Sequence, residues 1–143
     1  MPINIPIKII PIENDGFHLM VEIKINQKKA NMIIDTGASR TVFDEDLILK
    51  YLKNEDKEFE ENDKLSTGLG TNSMKSKAIE LKSVKFGSLK IKNYQAIVLD
   101  LKHVNESYKM LNLPIIHGVL GGDLLNSYKA VIYYKTKTLK LYP

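Results

Sequence analysis

Met32-Ile33-Ile34-Asp35-Thr36-Gly37-Ala38-Ser39 is the stretch whose reading decides the fold. Its apolar residues end a buried strand, and a carboxylate, a hydroxyl, a glycine and two small residues follow. An acid fixed at the end of such a strand is partly desolvated and rigidly placed, two conditions that suit a reacting carboxylate. Asp35 is therefore the candidate reacting group. Thr36 offers a short hydroxyl that can lock the turn. Gly37 has no Cβ, so backbone amides can approach the carboxylate or a ligand. Ala38 and Ser39 leave room beside it.

Upstream, Phe17, Leu19, Val21, Ile23 and Ile25 fall on one face of a period-two pattern, with His18, Met20, Glu22 and Lys24 on the other. Asn26-Gln27-Lys28 makes a turn, and Ala30 to Ile34 returns, so Asp35 stands at the far end of a β-hairpin. Ile3 to Ile10 carries Pro6 and follows Pro2, which predicts an edge strand. Downstream, Arg40 to Phe43 predicts a short strand, and Asp44 a cap for a short helix over Glu45 to Leu52. Lys53 to Lys64 is a charged run, expected to be a linker or helix tail. Leu65 to Ser73, with Gly68-Leu69-Gly70 at its centre, predicts a hairpin with a bending tip.

The next predicted strands are Lys77 to Phe86 and Ser88 to Leu99, joined through Gly87-Ser88. Asp100 to Leu113 is expected to be helical and to end before Pro114. Ile115 to Leu125 is expected to be a buried strand running through glycines into a short helix. Ala130 to Tyr134 and Thr138 to Tyr142 close the chain as a hairpin. The predicted class is all-β, with two or three short helices, in a single domain over residues 1–143.

The 143 residues suffice for a core that buries about two-thirds of the unfolded surface. No cysteine is present, which removes thiol nucleophiles, thiolate metal sites and disulfides together. That leaves the compartment open, with a slight lean to the cytoplasm. No apolar run is long enough to span a bilayer, and the first residues do not form a signal peptide. The sequence is equally compatible with a domain cut from a longer or exported protein. The net charge of +4 divides into −4 over residues 1–64 and +8 over residues 65–143. The lysines of the basic half come singly at alternate strand positions and Arg40 is the only arginine, so they are expected on solvated strand faces, with no nucleic-acid partner.

Taken together, these residues resemble the single-domain aspartic proteases of the retropepsin kind, including the bacterial retropepsin-like domains. The resemblance rests on three landmarks in order: Asp35-Thr36-Gly37-Ala38-Ser39 as the catalytic loop, Gly68-Leu69-Gly70 as the flap, and Val119-Leu120-Gly121 as the apolar-apolar-Gly motif beneath the loop. It implies a small closed β-barrel-like fold with Val119-Leu120 passing behind Asp35. It also implies that Asp35, Thr36 and Gly37 are catalytic. Ala38, Ser39, Gly68, Leu69, Gly70, Val119 and Leu120 would contact the substrate, a peptide or protein, with no cofactor and no metal. After Gly121 the chain departs from the viral pattern, which often has an arginine next. Here Gly122-Asp123 follows, and an Arg40–Asp123 ion pair in place of the viral one and two separately solvated charges are readings of about equal weight.

The chemistry points independently to an assembly. Amide hydrolysis by water needs one ionised carboxylate to take a proton and one protonated carboxyl to polarise the carbonyl. Asp15, Asp100 and Asp123 do not end an apolar strand followed by Thr-Gly, so the chain has one such acid. A homodimer that brings two copies of Asp35 together is expected. The rival reading is an inactive peptide-binding or dimerisation module with the same fold. Metal hydrolysis is disfavoured because His18, His103 and His117 lack ligand spacing, and serine chemistry because no Gly-x-Ser-x-Gly elbow occurs.

Overall fold

The alternation from Phe17 to Ile25 forms a strand, β2 (Phe17–Ile25), which a two-residue turn returns as β3 (Lys28–Ile34). Asn26 and Gln27 both take positive φ, 47° and 72°. Such a mirror-image turn matches the twist of paired strands. The Asn26 side chain ties this hairpin to its surroundings by donating to the Tyr51 carbonyl and accepting from the Ser83 amide. The computed structural model that shows this describes residues 1–53, 60–68 and 71–143.

The other strands are β1 (Ile3–Pro11), β4 (Val42–Asp44), β5 (Glu60–Gly68), β6 (Thr71–Phe86), β7 (Leu89–Leu99), β8 (Gly118–Leu120), β9 (Val131–Tyr133) and β10 (Thr138–Leu141). The helices are α1 (Glu45–Leu49), α2 (Lys102–Met110) and α3 (Gly122–Ser127). Neighbouring strands run β6-β7-β4-β8-β3-β2, and β2 pairs with β6 at Lys24–Lys85 and Ile25–Val84. That last pairing closes a six-stranded barrel, and the resemblance implied a closed β-barrel-like fold. Leu19, Val21, Ile23 and Ile25 of β2 fill it, together with Phe43, Leu81, Phe86, Val98 and Leu120.

Several expectations need correction. β1 lies inside the strand order. Ile3–Pro6 pairs with β10 and Ile7–Pro11 with β2, so each half carries its ladder on one side, and this accommodates proline. Those terminal strands therefore pair within one chain. Met20, placed by alternation on the polar face, is buried because α2 covers that face with Tyr108 beside Ile33 and Ile116. Glu60 to Lys64 belongs to β5, not to a linker; the rest of that charged run, residues 54–59, lies outside the described residues. The helix predicted after Asp44 stops at Leu49, and β8 is only three residues long, with Ile115 exposed.

Asp44 does more than cap. Its Oδ2 accepts the Leu47 amide at 2.9 Å and its Oδ1 accepts the Leu101 amide at 2.8 Å, in a position only 4% exposed. One carboxylate thus joins α1 to the chain leading into α2. Replacing it orphans a buried amide as well as the cap, so Asp44→Ala should cost about 2–4 kcal/mol, read from the urea midpoint, and Asp44→Asn less.

His117, just before β8, accepts the Asn31 amide on Nδ1 at 3.0 Å and sets its ring edge-on to Tyr51. Burial holds its pKa below the usual 6.5. The unfolded imidazole therefore takes a proton near pH 6.5 while the folded one does so only at lower pH. Stability from this group is complete above that value and is lost as the pH falls from it. Equilibrium unfolding between pH 8 and 5 should show the decline, and His117→Gln should flatten it.

Candidate active site

The apolar run of β3 carries Asp35 out of the barrel, and the loop behind it is held almost entirely by backbone bonds. The Asp35 amide donates to the Leu120 carbonyl at 3.0 Å, the Ala38 amide to the Asp35 carbonyl at 3.1 Å, and the Gly122 amide to the Ala38 carbonyl at 2.7 Å. These contacts follow from topology. β8 runs parallel to β3, with Ile34 opposite Leu120, and antiparallel to β4. A Cβ on Gly118 would meet the Val42 carbonyl oxygen at 2.5 Å, and one on Gly121 would lie 2.5 Å from the Arg40 carbonyl carbon and oxygen. Glycine at these positions lets β8 and the following turn lie directly against the loop.

The carboxylate itself is half-buried, and its Oδ1 accepts the Gly37 amide at 3.0 Å. Thr36, Gly37 and Ser39 are exposed, while Ala38 is buried. Val119 and Leu120 point to opposite sides of β8. Leu120 fills the barrel interior, and Val119 joins Ala38, Val42, Ile97, Leu99 and Leu101 in a second apolar cluster beside the loop. Gly68 ends β5 opposite Thr71 of β6, which makes the expected hairpin; Leu69 and Gly70 lie outside the described residues. Among the described residues no group of three or more His, Asp and Glu side chains could hold a metal ion.

A brace that sequence reasoning missed lies just past the loop. Thr41 is fully buried, and its hydroxyl donates to Asp123 Oδ1 at 2.7 Å while accepting the Gly121 amide at 3.0 Å. The same Oδ1 accepts the Thr41 amide at 2.8 Å and the Leu124 amide at 2.8 Å. Locally Thr41 shows only as a hydroxyl directly before the apolar pair Val42-Phe43. Asp123 is thus engaged by Thr41 and not by Arg40, so of the two readings the ion pair is the one not formed. One guanidinium nitrogen of Arg40 is buried without a hydrogen-bond partner. Both charges nevertheless act on the buried Tyr94 phenol, whose pKa is raised first by burial, then by Asp123, with Arg40 opposing.

A barrel with its acid on a Thr-Gly turn at a strand end, and an apolar-apolar-Gly strand behind it, defines a retropepsin-like fold. Residues 21–124, from β2 into α3, match the family model described as Aspartyl protease, and the chain belongs to that family. The fold is similar to that of a retropepsin-like aspartic protease from Rickettsia conorii, at 23% identity and a TM-score of 0.54, over 99% of this chain and 91% of the other. It is also similar to the retroviral protease-like domain of Ddi1 from Leishmania major, at 14% identity and a TM-score of 0.57, over 87% of each chain. No curated protein matches the chain.

The Thr41 hydroxyl is the joint between loop and strand. Thr41→Val keeps the shape but leaves the Gly121 amide and Asp123 without it, and should cost about 1–3 kcal/mol; Thr41→Ser should retain most of the stability. Thermal unfolding of the two variants side by side separates the hydroxyl from the packing.

Proposed function

We propose that the protein is an aspartic endopeptidase whose water is activated by two Asp35 carboxylates, one from each protomer of a twofold homodimer. The observation that carries this reading is the placement of Asp35: half-buried, fixed through its own backbone to Leu120 and Ala38, with the outer side of its loop, Thr36 and Gly37, open to solvent. One chain supplies one such acid. Phe17 starts β2 at the end where β3 leaves for Asp35. It is 47% exposed, with its ring 6.2 Å from that of Tyr134, itself 57% exposed. Apolar surface at the same end as the open loop supports an assembly there.

Two carboxylates facing each other across the axis share a proton. The ionised Asp35 takes a proton from the water as its oxygen bonds to the scissile carbonyl carbon. The protonated mate donates to the carbonyl oxygen, giving a tetrahedral diol. The diol collapses when a proton passes to the amide nitrogen and the C–N bond breaks, leaving a carboxyl and an amine. Thr36 braces the pair across the axis and Gly37 places substrate backbone. Ser39 faces the cleft beside the loop, and the buried Ala38, Val119 and Leu120 support it from within. The β5–β6 hairpin covers an extended peptide, held by main-chain bonds as an added strand.

Cleavage of a mixed peptide library between about pH 4 and 7, at several protein concentrations, tests this reading. The expected result is a rate per chain that rises with concentration and vanishes in Asp35→Asn. A folded dimer that binds peptides but cuts none would replace the enzyme by a peptide-binding module.

A further inference from the structure

Strand register brings together lysines that lie far apart in sequence. Lys29 of β3 stands opposite Lys24 of β2, Lys24 opposite Lys85 of β6, and Lys85 opposite Lys90 of β7. Directly paired residues in antiparallel strands point to the same face, and all four side chains are exposed. At about 4.8 Å between strands, the four ammonium groups form a row about 14 Å long across the outside of the barrel. None of the four makes an ion pair or hydrogen bond with the described residues. Lys92, one same-face step along β7 from Lys90, is exposed beside the row. Among the described residues, Lys28, Lys53 and Lys82 line a neighbouring cavity of about 380 Å³ with Asn26, Gln27, Tyr51 and Ser83.

Like charges set directly opposite one another destabilise a sheet. Here three successive pairings each oppose two lysines, a cost that folding does not explain and that a bound polyanion relieves. We infer that this lysine row is a docking surface for an acidic polypeptide segment, an extended run rich in Asp and Glu that crosses strands β3, β2, β6 and β7. Three observations favour a polypeptide over other polyanions. The row contains no arginine for bidentate phosphate contacts, and the ring beside it, Tyr51, is half-buried, packed against His117 with its hydroxyl donating to the Lys29 carbonyl. Glu22 is exposed on the same face of β2, one step from Lys24, which confines the positive surface there to a narrow line. A single extended chain follows a line, whereas a duplex or a bilayer covers a plane. Finally, the exposed Phe17, Tyr133, Tyr134 and Tyr142, which could enter a bilayer, belong to β2's far end and the β9–β10 hairpin rather than to this row.

The row is separate from the catalytic loop. Lys29 precedes Asp35 by six residues of extended chain, about 20 Å at strand rise. Its occupancy is therefore independent of peptide cleavage, and the test uses Asp35→Asn protein so that binding is read without hydrolysis. A fluorescent 12-residue Glu-rich peptide is titrated by anisotropy at about 50 and 200 mM salt, beside an oligo-dT of equal charge and vesicles containing phosphatidylserine. The expected result is saturable peptide binding that weakens at least tenfold at the higher salt. Adding Lys24→Glu and Lys85→Glu should weaken it at least tenfold again, while Lys8→Glu with Lys135→Glu, an equal charge change elsewhere, should leave it within about twofold. The neutral pair Lys24→Gln and Lys85→Gln should also weaken binding, with a melting temperature no lower than that of the parent, because it removes cross-strand repulsion. Absence of peptide binding, equal loss in the Lys8 and Lys135 control, or tighter binding of the oligonucleotide or vesicles overturns the inference.

Discussion

The structure depends on one strand being allowed between two others. β8 lies between β3 and β4, pairing parallel with the first and antiparallel with the second, and both the closed barrel and the fixed position of Asp35 follow from that insertion. The approach is so close that a Cβ at Gly118 or Gly121 would collide with the backbone of Val42 or Arg40. Once β8 is seated, its Leu120 carbonyl receives the Asp35 amide, and the turn after it places Gly121 and Gly122 to bond with Thr41 and Ala38. The acid is thus positioned by main-chain bonds on three sides. Such bonds are short and stiff, and they leave the carboxylate oxygens uncommitted except for the Gly37 amide.

What the sequence made legible was local. The strand-acid-Thr-Gly run, the β2–β3 hairpin and the glycines of the third landmark each declare a backbone requirement within a few residues, and each lies where that requirement places it. The misses share a different cause. Met20 looked solvated because alternation marks two faces but does not say whether a helix from 80 residues later covers one of them. β1 looked like an edge because its prolines forbid a full ladder on both sides, yet two partners dividing the strand satisfy the same condition. Thr41 and Asp123 are 82 positions apart, and nothing local marks their bond. The lysine row is the clearest case. Each lysine taken singly belongs on a solvated face, and only the pairing of four strands shows that they stand in line.

Asp123 illustrates how a backbone demand outranks a charge attraction. Arg40 and Asp123 both influence the Tyr94 phenol, so their charges share a neighbourhood, yet Asp123 Oδ1 turns to the Thr41 hydroxyl and to two amides. An exposed ion pair contributes little because water screens it and two side chains lose freedom. Satisfying the amides and the buried hydroxyl contributes more, since orphaned donors in a dry site carry their full desolvation penalty. The carboxylate therefore serves the joint between loop and strand, and one buried Arg40 nitrogen is left without a hydrogen bond in exchange.

The same trade bears on acidity. A shared proton between paired aspartates suits weakly acidic conditions, but His117 ties β3 to the segment entering β8 in its neutral form, and burial resists the proton that acid supplies. The conditions that favour the proposed chemistry therefore work against the strand insertion that holds the acid in place. His117 sits opposite Asn31, four residues before Asp35, so a loosening there reaches the Leu120 carbonyl through three residues of β8. Barrel closure and the Thr41 brace act on the other side of β8. The protein thus combines a proton-sensitive anchor before β8 with the Thr41 brace after it. The brace is the anchor nearer the acid, because the Gly121 amide that it holds directly follows the Leu120 carbonyl that receives the Asp35 amide.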